Sequence, residues 1–285
     1  MSNIIISCDS TADLSLELRE KYDVKVIPLG VTLGDTTYQD GINITPDEIY
    51  AHHAKTGELP KTTAANVGDF IDYFTPLAET GKTVIHFTLS SEMSSTYNNG
   101  LIAAADFDNV HIVNGFNLST GIGLVVLAAA EMAQNGASAE EIIAKSEELV
   151  KCVDASFVID NLEYLHKGGR CSAVAMLGAN LLKLKPCIDV TNGKMDVSKK
   201  YRGKYGEVLK QYVSERLSDL SDIDDNRIFV THAGCPDEIV DAVVAQVKEY
   251  GYFKEVIPSR AGCTISAHCG ANTLGILYIR KSPKA

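Results

Sequence analysis

The chain has little positive charge to offer a partner. Its 285 residues carry 26 Lys and Arg against 37 Asp and Glu, a formal net charge of −11. Neutralising nucleic-acid phosphates takes a basic footprint, so no nucleic-acid partner is expected. Attraction to an anionic membrane by charge alone is not expected either. Long apolar runs are also missing. The longest, Gly121 to Ala133, is too short to cross a bilayer and has helical spacing. The opening residues MSNIIISCDS have neither a basic segment nor a cleavage site, so no signal peptide is expected. The seven cysteines form no C-x-x-C pair. They read as scattered small apolar residues in a reducing cytoplasm, the expected location.

The familiar catalytic signatures are absent as well. There is no G-x-S-x-G elbow for a serine hydrolase, no P-loop, and no G-x-G-x-x-G after a strand. Cys263, His268 and Cys269 lack a structural zinc spacing, and His52 and His53 are adjacent on a helix and point apart. Neither a metal nor a cofactor is expected. No Pro- or Ser-rich linker and no internal repeat divides the chain.

What the chain does have is a regular alternation. Asn3–Cys8 reads as a central parallel strand, followed by a helix carrying Leu14, Leu16, Leu18 and Tyr22. Val24–Leu33 reads as one strand, with Thr36–Gln39 returning as an edge hairpin. Helix starts follow at Thr45–Glu48, Asn66–Asp69 and Ser138–Glu141, and PKTTAA (Pro60–Ala65) reads as a loop. The second half mixes a hairpin at Asn192-Gly193 with alternating units, and Ser172–Lys183 reads as helical. The expected fold is a two-domain α/β protein. Residues 1–152 would form an N-terminal domain with a parallel sheet, and residues 153–285 a C-terminal domain with a mixed sheet.

One stretch stands out chemically. Thr83–Gly100 (TVIHFTLSSEMSSTYNNG) starts as a buried strand, then places Ser90, Ser91, Ser94, Ser95 and Thr96 in a turn before a helix. Unpaired amides and hydroxyls at such a point favour an anion. Thr62-Thr63 offers a second set of hydroxyls. Taken alone it is an ordinary polar loop; at the carboxyl edge of a sheet it would face the same ligand. His268, in Ser266-Ala267-His268-Cys269-Gly270, could reach that pocket, and His232 is a weaker candidate of the same kind. The residues leave open a binding protein, an enzyme on a small carboxylated or phosphorylated metabolite with His268 as acid or base, and a lipid-responsive interaction protein.

Five segments in order, CDSTADL, PKTTAA, SSEMSSTYN, LEYLHKGGR and GCTISAHCGANTLGI, resemble the DegV family, the fatty-acid-binding subunits of bacterial fatty acid kinase. The resemblance covers essentially the whole chain. It implies a lipid carrier without catalysis of its own. Such a carrier holds one long-chain fatty acid between and within its domains and presents the carboxylate to a kinase catalytic subunit, which makes an acyl phosphate. Transient membrane contact would serve lipid exchange. Thr62, Ser94 and His268 match the carboxylate-binding residues, with Thr63, Ser95 and Thr96 beside them. Arg170 and Arg202 resemble residues on the kinase-facing side. Apart from the resemblance, Phe157, Ile159, Leu181 and Ile188 are candidates for the acyl-chain lining, with core packing the other and more usual role for each. The chain departs from the family at Ser95, where Gly is usual, at Thr63-Ala64, and at Gly203-Lys204-Tyr205, where a more basic run is usual.

Overall fold

A computed structural model describes residues 3–171 and 184–284. The helix expected at Ser172–Lys183, and with it Leu181, lies outside the described residues.

β1 (Ile4–Asp9) leads through α1 (Leu16–Tyr22) to β2 (Lys25–Ile27). The single strand expected over Val24–Leu33 is broken at Pro28, which lacks a ladder donor. Beyond the break, β3 (Gly30–Leu33) pairs with β4 (Thr36–Gln39) in the expected hairpin, but in a different sheet from β2. α2 (Pro46–Thr56) starts on the Thr45–Glu48 capping box. The loop expected at Pro60–Ala65 contains a short strand, β5 (Lys61–Thr63), paired with β3 so that Thr62 lies opposite Val31. β-branched threonines suit that edge. Gly30 makes room for it, because a Cβ there would sit 3.2 Å from Thr63 Cβ. α3 (Val67–Ala78), β6 (Thr83–Thr88), α4 (Thr96–Ala104) and β7 (Val110–Asn114) follow. They complete a parallel sheet of order β2-β1-β6-β7.

α5 (Thr120–Gln134) and α6 (Ala139–Leu149) come next. The second half contains β8 (Val153–Ile159), α7 (Glu163–Gly168), β9 (Lys185–Thr191), β10 (Lys194–Tyr201), α8 (Tyr205–Arg216), β11 (Ile223–Ala233), α9 (Asp237–Glu249), β12 (Glu255–Arg260), α10 (Cys263–Cys269) and β13 (Thr273–Arg280). Its sheet runs β10-β9-β8-β13-β11-β12. β11 and β12 are parallel and the other pairs antiparallel, so the sheet is mixed, as expected. Asn192 and Gly193 both take positive φ, 49° and 77°, as a two-residue hairpin between β9 and β10 demands.

α5 ties the halves together. Ile122, Leu124, Val125, Val126 and Leu127 have no exposed surface, and a helix that is apolar all round belongs in an interior. It packs on β1 and β6 and also on β8 and β13. Gly123 permits the approach: a Cβ there would lie 2.9 Å from the Ala12 carbonyl oxygen. One buried cluster runs from Ile6 and Ile85 through this helix to Phe157, Ile159 and Ile188.

Candidate ligand-binding site

The serine-rich turn after β6 is held at every step. Leu89 N–H donates to Asp9 Oδ2 (2.7 Å), and Ser90 N–H donates to the Asn117 carbonyl (3.1 Å). The Met93 and Ser94 amides both donate to the Ser90 carbonyl. Ser94 Oγ accepts from Thr96 N–H (3.2 Å) and lies 2.8 Å from Thr96 Oγ1. Ser94 therefore does the capping work at the start of α4. Ser95, at the N-cap position, makes no side-chain cap bond and is exposed, whereas Thr96 is buried. Asp9 anchors the turn from β1, and burial pushes its carboxyl up to about 6 although Thr11 and Leu89 donate to it.

A second strand of hydroxyls faces this turn. Thr62 Oγ1, on β5, lies 2.8 Å from His268 Nε2 on α10, a contact across 206 residues of chain. The other ring nitrogen, Nδ1, is buried and has no hydrogen-bond partner among the described residues. Gly168 lies flat against it, where a Cβ would be 2.7 Å away. Burial, and then the charge of Arg170, push the His268 imidazole down to about 4, so it is neutral at pH 7.

Thr62, Thr63, Ser94, Ser95, Arg170 and His268 border one cavity of about 380 Å³. The rest of its wall is largely apolar, with Leu29, Leu89, Met93, Leu118, Met195 and Ile265. The size falls in the range of small-molecule sites. A void of about 30 Å³ shares Leu118, Ile265 and Cys269 with this cavity and reaches Phe157, Gly275 and Leu277 of the mixed sheet. A larger cavity of about 500 Å³ lies against Phe116, Val150, Val190 and Lys284, and none of the residues expected at the site borders it.

Of the expected lining, Phe157 borders the small void, while Ile159 and Ile188 border neither space and are fully buried in the core. Leu181 lies outside the described residues. The two arginines separate: both are exposed, but Arg170 borders the cavity and donates to the Gly168 carbonyl (2.7 Å), whereas Arg202 borders none of these spaces. His232 borders only the small void. No cluster with metal-ligand character occurs among the described residues.

A family model described as "Uncharacterised protein, DegV family" matches residues 3–281. The chain belongs to the DegV family. A DegV relative, the fatty acid-binding protein of Thermotoga maritima, is 33% identical over 277 residues, or 95% of each chain. A DegV family protein of Thermus thermophilus whose solved structure is described by fatty acid binding is 29% identical. It superposes with a TM-score of 0.91, over 98% of this chain and all of that one. DegV of Bacillus subtilis, described as a fatty acid binding protein, is 31% identical with a TM-score of 0.85, over 99% of this chain and all of that one.

Sequence reasoning missed three buried carboxylates beside the site. Asp9 and Asp13 lie in CDSTADL, and two acids at the end of a central strand and in the turn after it were a readable signal. Asp40 directly follows the β3–β4 hairpin, and nothing near it in sequence marks it.

Proposed function

We propose that this DegV protein binds one long-chain fatty acid, its carboxylate at Thr62, Ser94 and His268 and its acyl chain along the apolar wall. The observation that carries this reading is the two-faced cavity. Hydroxyls, an imidazole and a guanidinium line one part of it, and Leu, Ile and Met side chains line the other. A buried carboxylate needs such donors, because an unpaired charge is very costly. Each buried methylene of a tail adds about 0.8 kcal/mol, whereas a small phosphorylated metabolite would leave the apolar wall unused. The fatty-acid-binding descriptions of the Thermotoga, Thermus and Bacillus relatives support the same ligand class.

In this reading residues 1–152 supply the head-group loops, with His268 reaching in from α10, and residues 153–285 supply the deeper tail channel beyond the wall formed by Leu29, Leu89, Met93 and Leu118. Thr63 and Ser95 stand beside the carboxylate, and Thr96 orients Ser94. Phe157 flanks the deeper path, with Ile159 and Ile188 packed behind it. Phosphorylation falls to a separate kinase catalytic subunit, since the chain carries no phosphate cradle. Arg170, and Arg202 in the basic segment Lys199–Lys204, are the docking cations in an otherwise acidic chain, and both side chains are exposed. Fatty acid is exchanged by transient membrane contact. An acid–base role for His268 would need a pKa near the working pH, and burial holds it at about 4.

The test is oleate affinity in a Thr62→Ala, Ser94→Ala double variant. Hydrogen bonds to a charged group are worth about 1.5–3 kcal/mol each, so affinity should fall at least ~10-fold. Unchanged affinity would remove both hydroxyls from the site.

A further inference from the structure

α10 carries His268 yet has no cap of its own. Its N-cap residue is Gly262, which has no side chain, and the helix is seven residues long. The amides at its start are met instead by two carboxylates from the other half of the chain. Asp13 Oδ1 accepts from Gly262 N–H (2.8 Å). Asp40 Oδ1 accepts from Cys263 N–H (2.7 Å), and Asp40 Oδ2 accepts from Thr264 N–H (3.0 Å). Both side chains are buried, at 5% and 4% exposure. Gly262 is tight against them: a Cβ there would lie 3.0 Å from Asp13 Oδ1 and 3.2 Å from Asp40 Oδ1.

The two carboxylates are themselves held. Ser10 Oγ donates to Asp40 Oδ2 (3.0 Å) and accepts from Leu29 N–H (3.1 Å). Ser119 Oγ donates to Asp13 Oδ2. That contact joins two residues in costly backbone conformations, Asp13 at φ 50° and Ser119 at φ 52°, ψ −146°. Residues held in such regions persist where the surroundings over-determine them, and they gather at functional sites. Ser119 is the N-cap residue of α5, but its hydroxyl makes no cap bond there.

The consequence reaches the ligand site one helical turn on. His268 meets Thr62 at 2.8 Å, and a slide of α10 by about 1 Å would end that hydrogen bond. β5, which carries Thr62, pairs with β3, and Asp40 directly follows the β3–β4 hairpin. The piece of chain that presents Thr62 is therefore joined to the start of the helix that presents His268.

We infer that Asp40, with Asp13, is a positioning residue of the ligand site, fixing α10 so that His268 and Thr62 stand together for the head group. This deepens the fatty-acid reading and rests on it for the ligand.

The experiment records imidazole ¹⁵N signals of the ligand-free full-length protein, with His268→Gln used to assign His268, and then measures oleate affinity. Asp40→Asn is the disruptive variant: Cys263 N–H and Thr264 N–H donate to different oxygens of the carboxylate, and replacing either oxygen by NH₂ sets a donor against one of them. Asp13→Asn is the conservative one: its oxygen still accepts from Gly262 and its NH₂ can donate to Ser119 Oγ. The expected result is a displaced His268 signal and ~10-fold weaker oleate binding in Asp40→Asn, with less than ~2-fold change in Asp13→Asn. Ser10→Ala, milder, should move the same signal in the same direction and serves where Asp40→Asn does not fold. In a His268→Gln background Asp40→Asn should cost little further affinity. A wild-type His268 signal in the folded disruptive variant, or fully additive losses, overturns the inference. A wild-type protein that takes up no oleate overturns the fatty-acid reading instead, and the imidazole signal still decides whether Asp40 places His268.

Discussion

A methyl group at position 168 would fall 2.7 Å from His268 Nδ1, and Gly168 has no unusual backbone angle of its own. Gly168→Ala should therefore disturb the imidazole more than the backbone. The expected outcome is several-fold weaker oleate binding with a small change in melting temperature; equal affinity would mean that the imidazole does not meet the ligand. His86 makes a different prediction. It lies on β6 among Phe70, Tyr73 and Phe74, with Nδ1 2.8 Å from Ser7 Oγ, and burial pushes it down to about 3. The unfolded chain takes up a proton near pH 6.5 and the folded one does not, so stability is present above that pH. It is lost as pH falls from about 6.5 toward 3, at about 1.4 kcal/mol per unit of depression. His268 adds a loss of the same sign down to about 4. Asp9, raised to about 6, and Asp13, also raised by burial, run the other way, because acid relieves the burial of both. Between pH 6.5 and 4.5 the wild-type urea midpoint should lose ground relative to that of His86→Gln, which lacks the histidine contribution. An unchanged slope would show that this ring is not held neutral.

At the scale of elements, the β9–β10 hairpin is part of the site because its tip rests on the serine turn. Ser90 Oγ donates to the Gly193 carbonyl (2.8 Å), Lys194 pairs with Glu92 (3.1 Å), and Met195 borders the cavity. Gly193 has φ 77°, and a Cβ there would lie 2.5 Å from Ser90 Oγ. Gly193→Ala should lower stability by about 1–3 kcal/mol in urea unfolding. An unaffected midpoint would mean that the tip is not seated there. This hairpin was legible in the sequence, because Asn-Gly between two strands has one cheap conformation. The capping boxes were legible for the same reason: they are local. β5 was not, since a three-residue edge strand exists only through its partner β3. The Asp40 contact with α10 was not either, because it joins residues more than 220 positions apart. The hydroxyl turn could be read as a site, but how Ser94 and Ser95 divide their work could not. Ser94 bonds Thr96 N–H while Ser95 stays exposed, and that depends on the exact entry angle of α4.

Across the whole molecule the parallel sheet and the mixed sheet share α5, and the cavity opens among segments drawn from both halves of the chain. All seven cysteines are buried. A thiol reagent should find them slow in the folded protein and fast in denaturant; rapid labelling of several in native buffer would contradict the packing described. The central claim concerns what the cavity holds. Protein purified under native conditions should be extracted with organic solvent and the extract read by mass spectrometry against protein concentration. The account predicts a long-chain fatty acid at close to one per chain, or stoichiometric uptake of added oleate or palmitate by protein that arrives empty. Protein that carries no fatty acid and takes up neither would contradict it.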